Sequence, residues 1–353
     1  MKISEPLSLE AATWLPEERE RVSDLLAAGR LTEAETEQLG LTEVPVSDIP
    51  GPQLAVRAAE RVLAATRFDP ARIGLVAHAW LYHQGHDFWS PPHYVADRLG
   101  AHDALPIGVR QMSNGGVAAL GVAVDRLLAD PTVEAALVTT GDRFVPPGFN
   151  RWRADYGAVY GDAGTAALLR RHDPDGQEPE GQAAERSGPT LLLRSLTFAT
   201  AAEYEAMYRG RDPFTEVPLQ AGIPVDVRRP KKAYLEEHGG MGPFLKSAAE
   251  AVRSTLLQSL AESGVEPGDP RIRCVALPRL GEHVLSITHA LLDEILGVEI
   301  LQLREGSGHL GAGDLLANLA HISASHGLAP GEFAVVIGGG GGFTWSCAVV
   351  EAA

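Results

Sequence analysis

Ser113, His309 and Asp314 are the side chains of this 353-residue chain whose types and surroundings could carry covalent chemistry. A serine hydroxyl needs a base before it becomes nucleophilic near neutral pH; histidine is the usual base, and a carboxylate fixes the imidazole's tautomer and orientation. Ser113 stands where an extended run (Leu105–Met112) meets Asn114-Gly115-Gly116 and the apolar run Val117–Leu128. That last run is apolar on nearly every face, as a helix buried all round reads. A hydroxyl at its start faces unpaired N–H groups and the positive end of the helix dipole, which stabilise developing negative charge. A plain N-cap would sit in the same place. His309 lies in the glycine loop Gly306–Asp314, where taken alone it reads first as a structural residue, and Asp314 is also a plausible cap for the helix beginning at Leu315.

Strand–helix units must position these residues. A helix is expected over Leu54–Leu63, then buried strands at Ile73–His78 and Val133–Thr140, with a tight turn at Tyr160–Thr165 leading into a strand that ends at Leu169. In the second half, a strand at Thr190–Leu196 precedes a helix over 243–263. A strand at Ile272–Leu277 ends in Pro278-Arg279-Leu280-Gly281, and helices follow over 283–296 and Leu315–Ile322. The chain closes on a hairpin-like pair, Phe333–Gly338 and Phe343–Val350, around a five-glycine run. That run lacks the Lys-Ser/Thr helix start of a phosphate loop, so close backbone approach to a substrate carbonyl, or a sharp turn, suits Gly340 and Gly341 better. Residues 13–40 read as one or two charged amphipathic helices with Pro16 near a helix start; Pro45–Pro52 reads as a linker and 199–240 as a long irregular stretch. The polar, Pro- and Gly-rich residues 172–189 form a loop and the best boundary, dividing 1–186 from 187–353. Each half ends in paired apolar strands after a glycine-rich turn, which predicts a duplicated α/β architecture with helices buried between sheets.

Composition narrows the function. The net charge of −16 argues against nucleic acid or an anionic membrane as the main partner. No run of 18 apolar residues exists, and Met1–Leu7 lacks the basic start and apolar stretch of a signal peptide, so a cytoplasmic protein is expected. Cys274 and Cys347 lie in apolar strand-like runs, as small core residues rather than a disulfide or metal pair. His78, His83 and His86 show no zinc-ligand spacing, so their aromatic-rich loop is expected to line a pocket or an oligomer interface, and no metal is expected.

In their order along residues 50–353, these segments resemble the ketoacyl-ACP synthase III family. Met112-Ser113-Asn114-Gly115 sits where that family has Ala-Cys-Ser-Gly; Tyr160-Gly161-Asp162-Ala163-Gly164-Thr165-Ala166 is similar to its Phe-Gly-Asp-Gly-Ala-x-Ala turn, and Gly338–Trp345 to its C-terminal glycine turn. The resemblance implies a thiolase fold, a five-layered αβαβα duplication. Two departures stand out. Arg279 falls where the family's catalytic histidine (Pro-His-Gln-Ala-Asn) would be, and the catalytic asparagine falls in the Gly306–Asp314 loop, close to His309. The His/Asn pair that stabilises an enolate in decarboxylative condensation is therefore missing. Gly308–Asp314 is instead similar to a branch in polyketide and antibiotic pathways, containing starter-unit synthases with serine nucleophiles and acyltransferases that form esters or amides.

That branch implies a Ser113/His309/Asp314 triad, with Arg279, Gly340 and Gly341 as substrate-binding or oxyanion groups. It also implies a homodimer, and as substrate an acyl carrier protein or CoA thioester, with no bound cofactor. Carrier docking would use a local positive patch, and Arg209, Arg211, Arg228, Arg229, Lys231 and Lys232 supply the basic residues; a solvated face is the alternative. The leading expectation is an acyltransferase working through acyl-Ser113 onto an alcohol or amine. The alternatives are a starter-unit ketosynthase using malonyl-carrier protein, and a non-catalytic partner of the same fold that only binds an acyl chain or carrier.

Overall fold

The computed structural model of the chain describes residues 2–172, 189–220 and 222–353. The linker expected at 172–189, and the boundary at 186/187 with it, lies almost wholly outside the described residues. The first half comprises β1 (Lys2–Trp14), a small excursion of β2 (Arg19–Arg21), α1 (Val22–Ala27), α2 (Glu33–Leu39) and β3 (Glu43–Pro45), then α3 (Gly51–Thr66), β4 (Ile73–Ala79), α4 (Pro91–Leu99), β5 (Leu105–Val109), α5 (Gly115–Ala129), β6 (Ala135–Asp142) and β7 (Ala163–Arg171). The second comprises β8 (Leu191–Thr200), α6 (Ala206–Arg209), α7 (Arg228–Glu237), α8 (Met241–Ser263), β9 (Ile272–Ala276), α9 (Glu282–Leu296), β10 (Glu299–Leu301), α10 (Asp314–Ser325), β11 (Phe333–Gly340) and β12 (Thr344–Ala352).

Strand order exposes the duplication. The first half runs β5-β4-β6-β7-β1 and the second β10-β9-β11-β12-β8, the same order strand for strand, and β1 joins β8 antiparallel where the halves meet. Within each half the inner strands pair in parallel, while β7 and β12 run antiparallel to their neighbours. Alternation along the strands sorts the core into layers. Leu75 and Ala77 of β4, with Ala334 and Val336 of β11, face a central layer built on α5 and α10. Val76 faces the outer pair α3 and α4, and Val335 the outer pair α8 and α9. These five layers are the αβαβα arrangement expected from the sequence.

The equivalence extends to the loops. α5 follows β5 and α10 follows β10, so Ser113 and the His309–Asp314 loop precede matching central helices. They meet because α5 begins with glycines: a Cβ on Gly116 would lie 2.5 Å from the Ala312 carbonyl oxygen.

Two expectations need correction. The helices expected from residue 13 begin later: residues 13 and 14 close a 13-residue strand in the middle of the sheet, and no helix starts at Pro16. Leu7 and Leu9 of β1 are fully buried, but Ser8 and Glu10 are polar and bond to Arg170, so the strand owes its place to partners β7 and β8 rather than to its own propensity. The helices of this region are the short α1 and α2, the latter opened by a Thr32/Glu35 capping box. Residues 199–240 are also less irregular than expected, since β8 extends to Thr200 and the basic cluster sits on α7.

Candidate active site

The turn from β5 into α5 carries Ser113, and Met112 before it takes a left-handed backbone, φ 48°, that only a constrained turn holds in a non-glycine residue. α5 starts at Gly115 with Asn114 in the cap position, so Ser113 is not the N-cap. Its Oγ lies 2.7 Å from His309 Nε2, and His309 Nδ1 lies 2.7 Å from Asp314 Oδ2. Asp314 is the first residue of α10, with Gly313 in the cap position, so it is not a cap either. Its carboxylate instead accepts the Leu310 N–H at 2.8 Å and the Arg279 N–H at 2.8 Å. An acceptor held this way requires the proton on His309 Nδ1 and leaves Nε2 free to take the Ser113 proton.

Electrostatics agree with that assignment. Burial pulls the His309 pKa down, but the Asp314 carboxylate outweighs it by charge and hydrogen bond, with Asp155 and Asp142 adding, and the imidazole stands above its ordinary value. Asp314 is pushed up by burial and pulled down further by His309, Arg279 and the Leu310 N–H, ending below the usual carboxylate range. Ser113 is half-buried, whereas His309 is only 2% exposed.

Backbone bonds fix the histidine. Its N–H donates to the Val159 carbonyl at 2.7 Å and its carbonyl accepts the Gly161 N–H at 2.9 Å, while the Tyr160 ring packs on the imidazole with centroids 5.2 Å apart. The Tyr160-Gly161-Asp162 turn is thus the seat of His309. Asp162 is not in the site: it binds the Arg151 guanidinium and the Ser47 and Phe144 amides. Asp142 is a residue whose role the sequence reading missed. Fully buried at the end of β6, it accepts N–H groups of Leu81, Tyr82 and Ala312, tying the His309 loop to the first half. Burial pushes its carboxyl up to about 6 against those donors. An acid ending an otherwise apolar strand was the available signal.

The other named residues divide. Gly340 lies against Ser113: a Cβ there would sit 3.1 Å from the Ser113 N and 2.6 Å from the Asn114 N. Gly341 lies against the Tyr208 ring. Arg279 reaches the triad through its backbone N–H, while its guanidinium donates to the Leu303 carbonyl and to Ser307 Oγ in the loop before His309. Arg279 is therefore a positioning residue for Asp314. Its side chain also lines a cavity of about 120 Å³ together with Glu35, Trp152, Tyr156, Arg228 and Arg304.

Each of the six basic residues has a partner within the protein. Arg209 pairs with Glu205, Arg211 with Glu237, Arg229 with Asp212, and Lys232 with Glu236. Lys231 turns inward, its side chain 13% exposed, onto the buried Asp155. Arg228 donates to the Asp155 and Trp152 carbonyls. Clustering in sequence concealed this, because α7 alternates its cations between solvent and the protein. The histidine loop is likewise divided: buried His78 sits between Thr139 and Gln84, and burial drives its pKa down to about 4, while His86 packs edge-on against Trp89. Cys274 and Cys347 are buried thiols pushed up to about 12. Among the described residues no helix is long and apolar enough to cross a membrane.

No protein-family model and no curated protein matches this chain. Solved structures do. The structure titled ChlB3, an acyltransferase, has a TM-score of 0.84 at 25% identity over 98% of both chains. 3-Oxoacyl-(acyl carrier protein) synthase III, FabH, from Pseudomonas aeruginosa has a TM-score of 0.73 at 18% identity, covering 99% of this chain and 98% of its own. AbyA1, a tetronic acid condensing enzyme, has a TM-score of 0.72 at 22% identity, covering 98% of this chain and 100% of its own. The structural neighbours of this chain are ketoacyl-ACP synthase III-like proteins, an acyltransferase and condensing enzymes among them, and its fold is theirs.

Proposed function

We propose that this chain is a serine acyltransferase. It takes an acyl group from an acyl carrier protein or CoA thioester onto Ser113 and passes it to an alcohol or amine of a polyketide or antibiotic intermediate. The observation that carries the reading is the unbroken line Ser113 Oγ, His309 Nε2, His309 Nδ1, Asp314 Oδ2, with 2.7 Å at each contact. Ser113 Oγ attacks the thioester carbonyl as His309 Nε2 takes its proton; the C–S bond then breaks and the same proton leaves with the thiol. The Ser113 N–H, beside the glycine hairpin at Gly340, faces the oxyanion formed in that step. Carrier docking falls to Arg209, Arg211, Arg229 and Lys232, the cluster members whose pairs are exposed. Homodimer formation uses the open edge at β5, where Leu105 is 51% exposed.

Likeness to FabH and to a priming ketosynthase keeps starter-unit condensation as the second reading. Against it, the position of the expected histidine is Arg279, whose side chain is engaged elsewhere. Incubation with acyl-CoA and acyl-carrier thioesters followed by intact-protein mass spectrometry separates the readings. An adduct on Ser113 supports acyl transfer, carbon dioxide release from malonyl thioester would move the assignment to condensation, and no adduct from any donor would return the protein to a binding role.

A further inference from the structure

Asn114 stands in the cap position of α5 and does not cap it. An asparagine there ordinarily turns its side-chain oxygen back onto the first free N–H groups of the helix. Here the backbone lies at φ −88°, ψ 7°, outside the extended region that capping uses, and Oδ1 accepts instead from Ser346 Oγ at 2.9 Å. Ser346 lies on β12, 232 residues away and in the other half of the molecule, and both side chains are fully buried. Among the described residues the Asn114 Nδ2 is sealed without a hydrogen-bond partner. Turning the amide over would give Ser346 the nitrogen and orphan the oxygen, so one polar atom stays unpaired in either assignment. The chain forgoes a cap and keeps a buried orphan while holding this one bond, a loss that persists where the surrounding structure has a use for it.

The bond lies under the glycine hairpin. Ser346 pairs in register with Gly338, and a Cβ on Gly338 would sit 2.8 Å from Asn114 Oδ1 and meet Ser346 Oγ as well. Two residues on, a Cβ on Gly340 would sit 2.6 Å from the Asn114 N and 3.1 Å from the Ser113 N. The end of β11 is therefore laid on the turn that carries Ser113 at two points, the Asn114 side chain and the Ser113–Asn114 backbone. Residues 338–342 are all glycine, so this part of the hairpin has no side chains with which to grip the turn. Van der Waals approach of bare backbone is not directional, whereas the Asn114–Ser346 bond is, and it ties the turn to the strand paired with β11. The triad bonds run through Ser113 Oγ and do not pass through the Asn114 side chain.

We propose that Asn114 is a positioning residue for acyl transfer: bonded to Ser346, its side chain holds the glycine hairpin against the turn and thereby fixes the direction of the Ser113 N–H toward the oxyanion. The inference rests on the acyl-Ser113 reading. Aim matters most when the carbonyl oxygen becomes negative as Ser113 Oγ adds to it, so the bond acts on the acylation rate constant more than on donor binding. Asn114 gives up no proton and acts only through the backbone it holds.

The test sets an electrophile that builds an oxyanion against one that does not. Ser346→Ala removes the bond from the far side and leaves the residues of the Ser113 turn unchanged; Asn114→Ala removes it from the near side. Acylation by an S-hexanoyl-N-acetylcysteamine thioester is followed by intact mass in single turnover. The rate constant comes from the time course, so it does not depend on how much variant folds. Each variant should acylate about tenfold more slowly at saturating thioester, short of the roughly 10²–10³-fold cost of deleting an oxyanion donor. The double variant should be no slower than the single ones, since both remove the same bond. The thioester concentration giving half the maximal rate should stay within about twofold of wild type. In a Ser113→Cys background, Ser346→Ala should again slow acylation but leave alkylation of position 113 by iodoacetamide within about twofold, because displacement of iodide creates no oxyanion. Peptide mapping separates that alkylation from any at Cys274 and Cys347. Unchanged acylation in both single variants overturns the inference, as do losses that multiply in the double variant. Alkylation that slows in step with acylation also overturns it, by making Asn114 a prop for the whole turn. A wild type that forms no Ser113 adduct removes the acyltransferase reading and this inference with it, whereas a wild-type adduct with unmoved variants removes this inference alone.

Discussion

Replacing Asp314 by asparagine tests the triad through the direction of a titration as well as a rate. The carboxylate accepts from His309 Nδ1, the Arg279 N–H and the Leu310 N–H, and all three bonds need an oxygen. An amide supplies one oxygen. With the amide nitrogen toward Leu310, one buried N–H loses its acceptor, at about 1–3 kcal/mol. With the nitrogen toward His309, the Arg279 N–H is orphaned, and the imidazole must move its proton to Nε2, where it no longer serves as a base. Either way acylation should fall by roughly 10³–10⁴-fold, the scale of the equivalent change in serine hydrolases. The pH profile decides the cause. In wild type the neutral base is required and the His309 pKa is raised by Asp314, so the rising limb of the acylation rate lies above the ordinary histidine value of 6.5. Without the carboxylate, burial is the dominant remaining influence and it lowers that pKa, so the limb should move to the acid side of 6.5. Single-turnover acylation, followed as the mass of the acyl adduct from pH 5 to 9, reads both. A limb that stays in place, or a rate within a few-fold of wild type, would refute the assignment of Asp314 as the group that charges and orients His309.

Ser113→Ala should abolish the adduct while leaving the melting temperature nearly unchanged, since the hydroxyl caps nothing; Ser113→Cys should keep or raise self-acylation because a thiol depends less on its base. Gly340→Ala places a methyl 2.6 Å from the Asn114 N and 3.1 Å from the Ser113 N, so it should slow acylation by at least tenfold (about 1.4 kcal/mol of barrier), checked in the same adduct assay. Lys231→Met strands the buried Asp155 and should cost about 3–5 kcal/mol in denaturant unfolding. Reversing the charges of Arg209, Arg211, Arg229 and Lys232 should barely change unfolding but raise the KM for a carrier-bound donor at low salt. An equal rise for an uncharged thioester would place docking elsewhere.

Local chemistry made parts of this molecule legible from sequence. The apolar run after Ser113 could only be a buried helix, and the Gly306–Asp314 loop had the residue types of a base and its carboxylate. What sequence could not carry were relations set by distant pairing. β1 holds Ser8 and Glu10 in a central strand because β7 and β8 flank it. Asp142 looks like the polar end of a buried strand until Ala312, 170 residues away, is seen to donate to it. The pairing of the basic cluster was hidden for the same reason: Asp155, the partner of Lys231, lies 76 residues away in the chain.

The repeated strand order bears on how such a site could change over time. Ser113 and Asp314 occupy corresponding turns of two copies of one unit, so one copy carries the serine and the other carries the His309–Asp314 pair that meets it. Labour is divided along the seam between the copies. A substitution that alters the proton apparatus, such as arginine for histidine at 279 with a new histidine at 309, can therefore arise wholly within the second copy. The turn and helix that carry Ser113 need not move when the histidine is re-sited in this way, because the change is confined to the second copy.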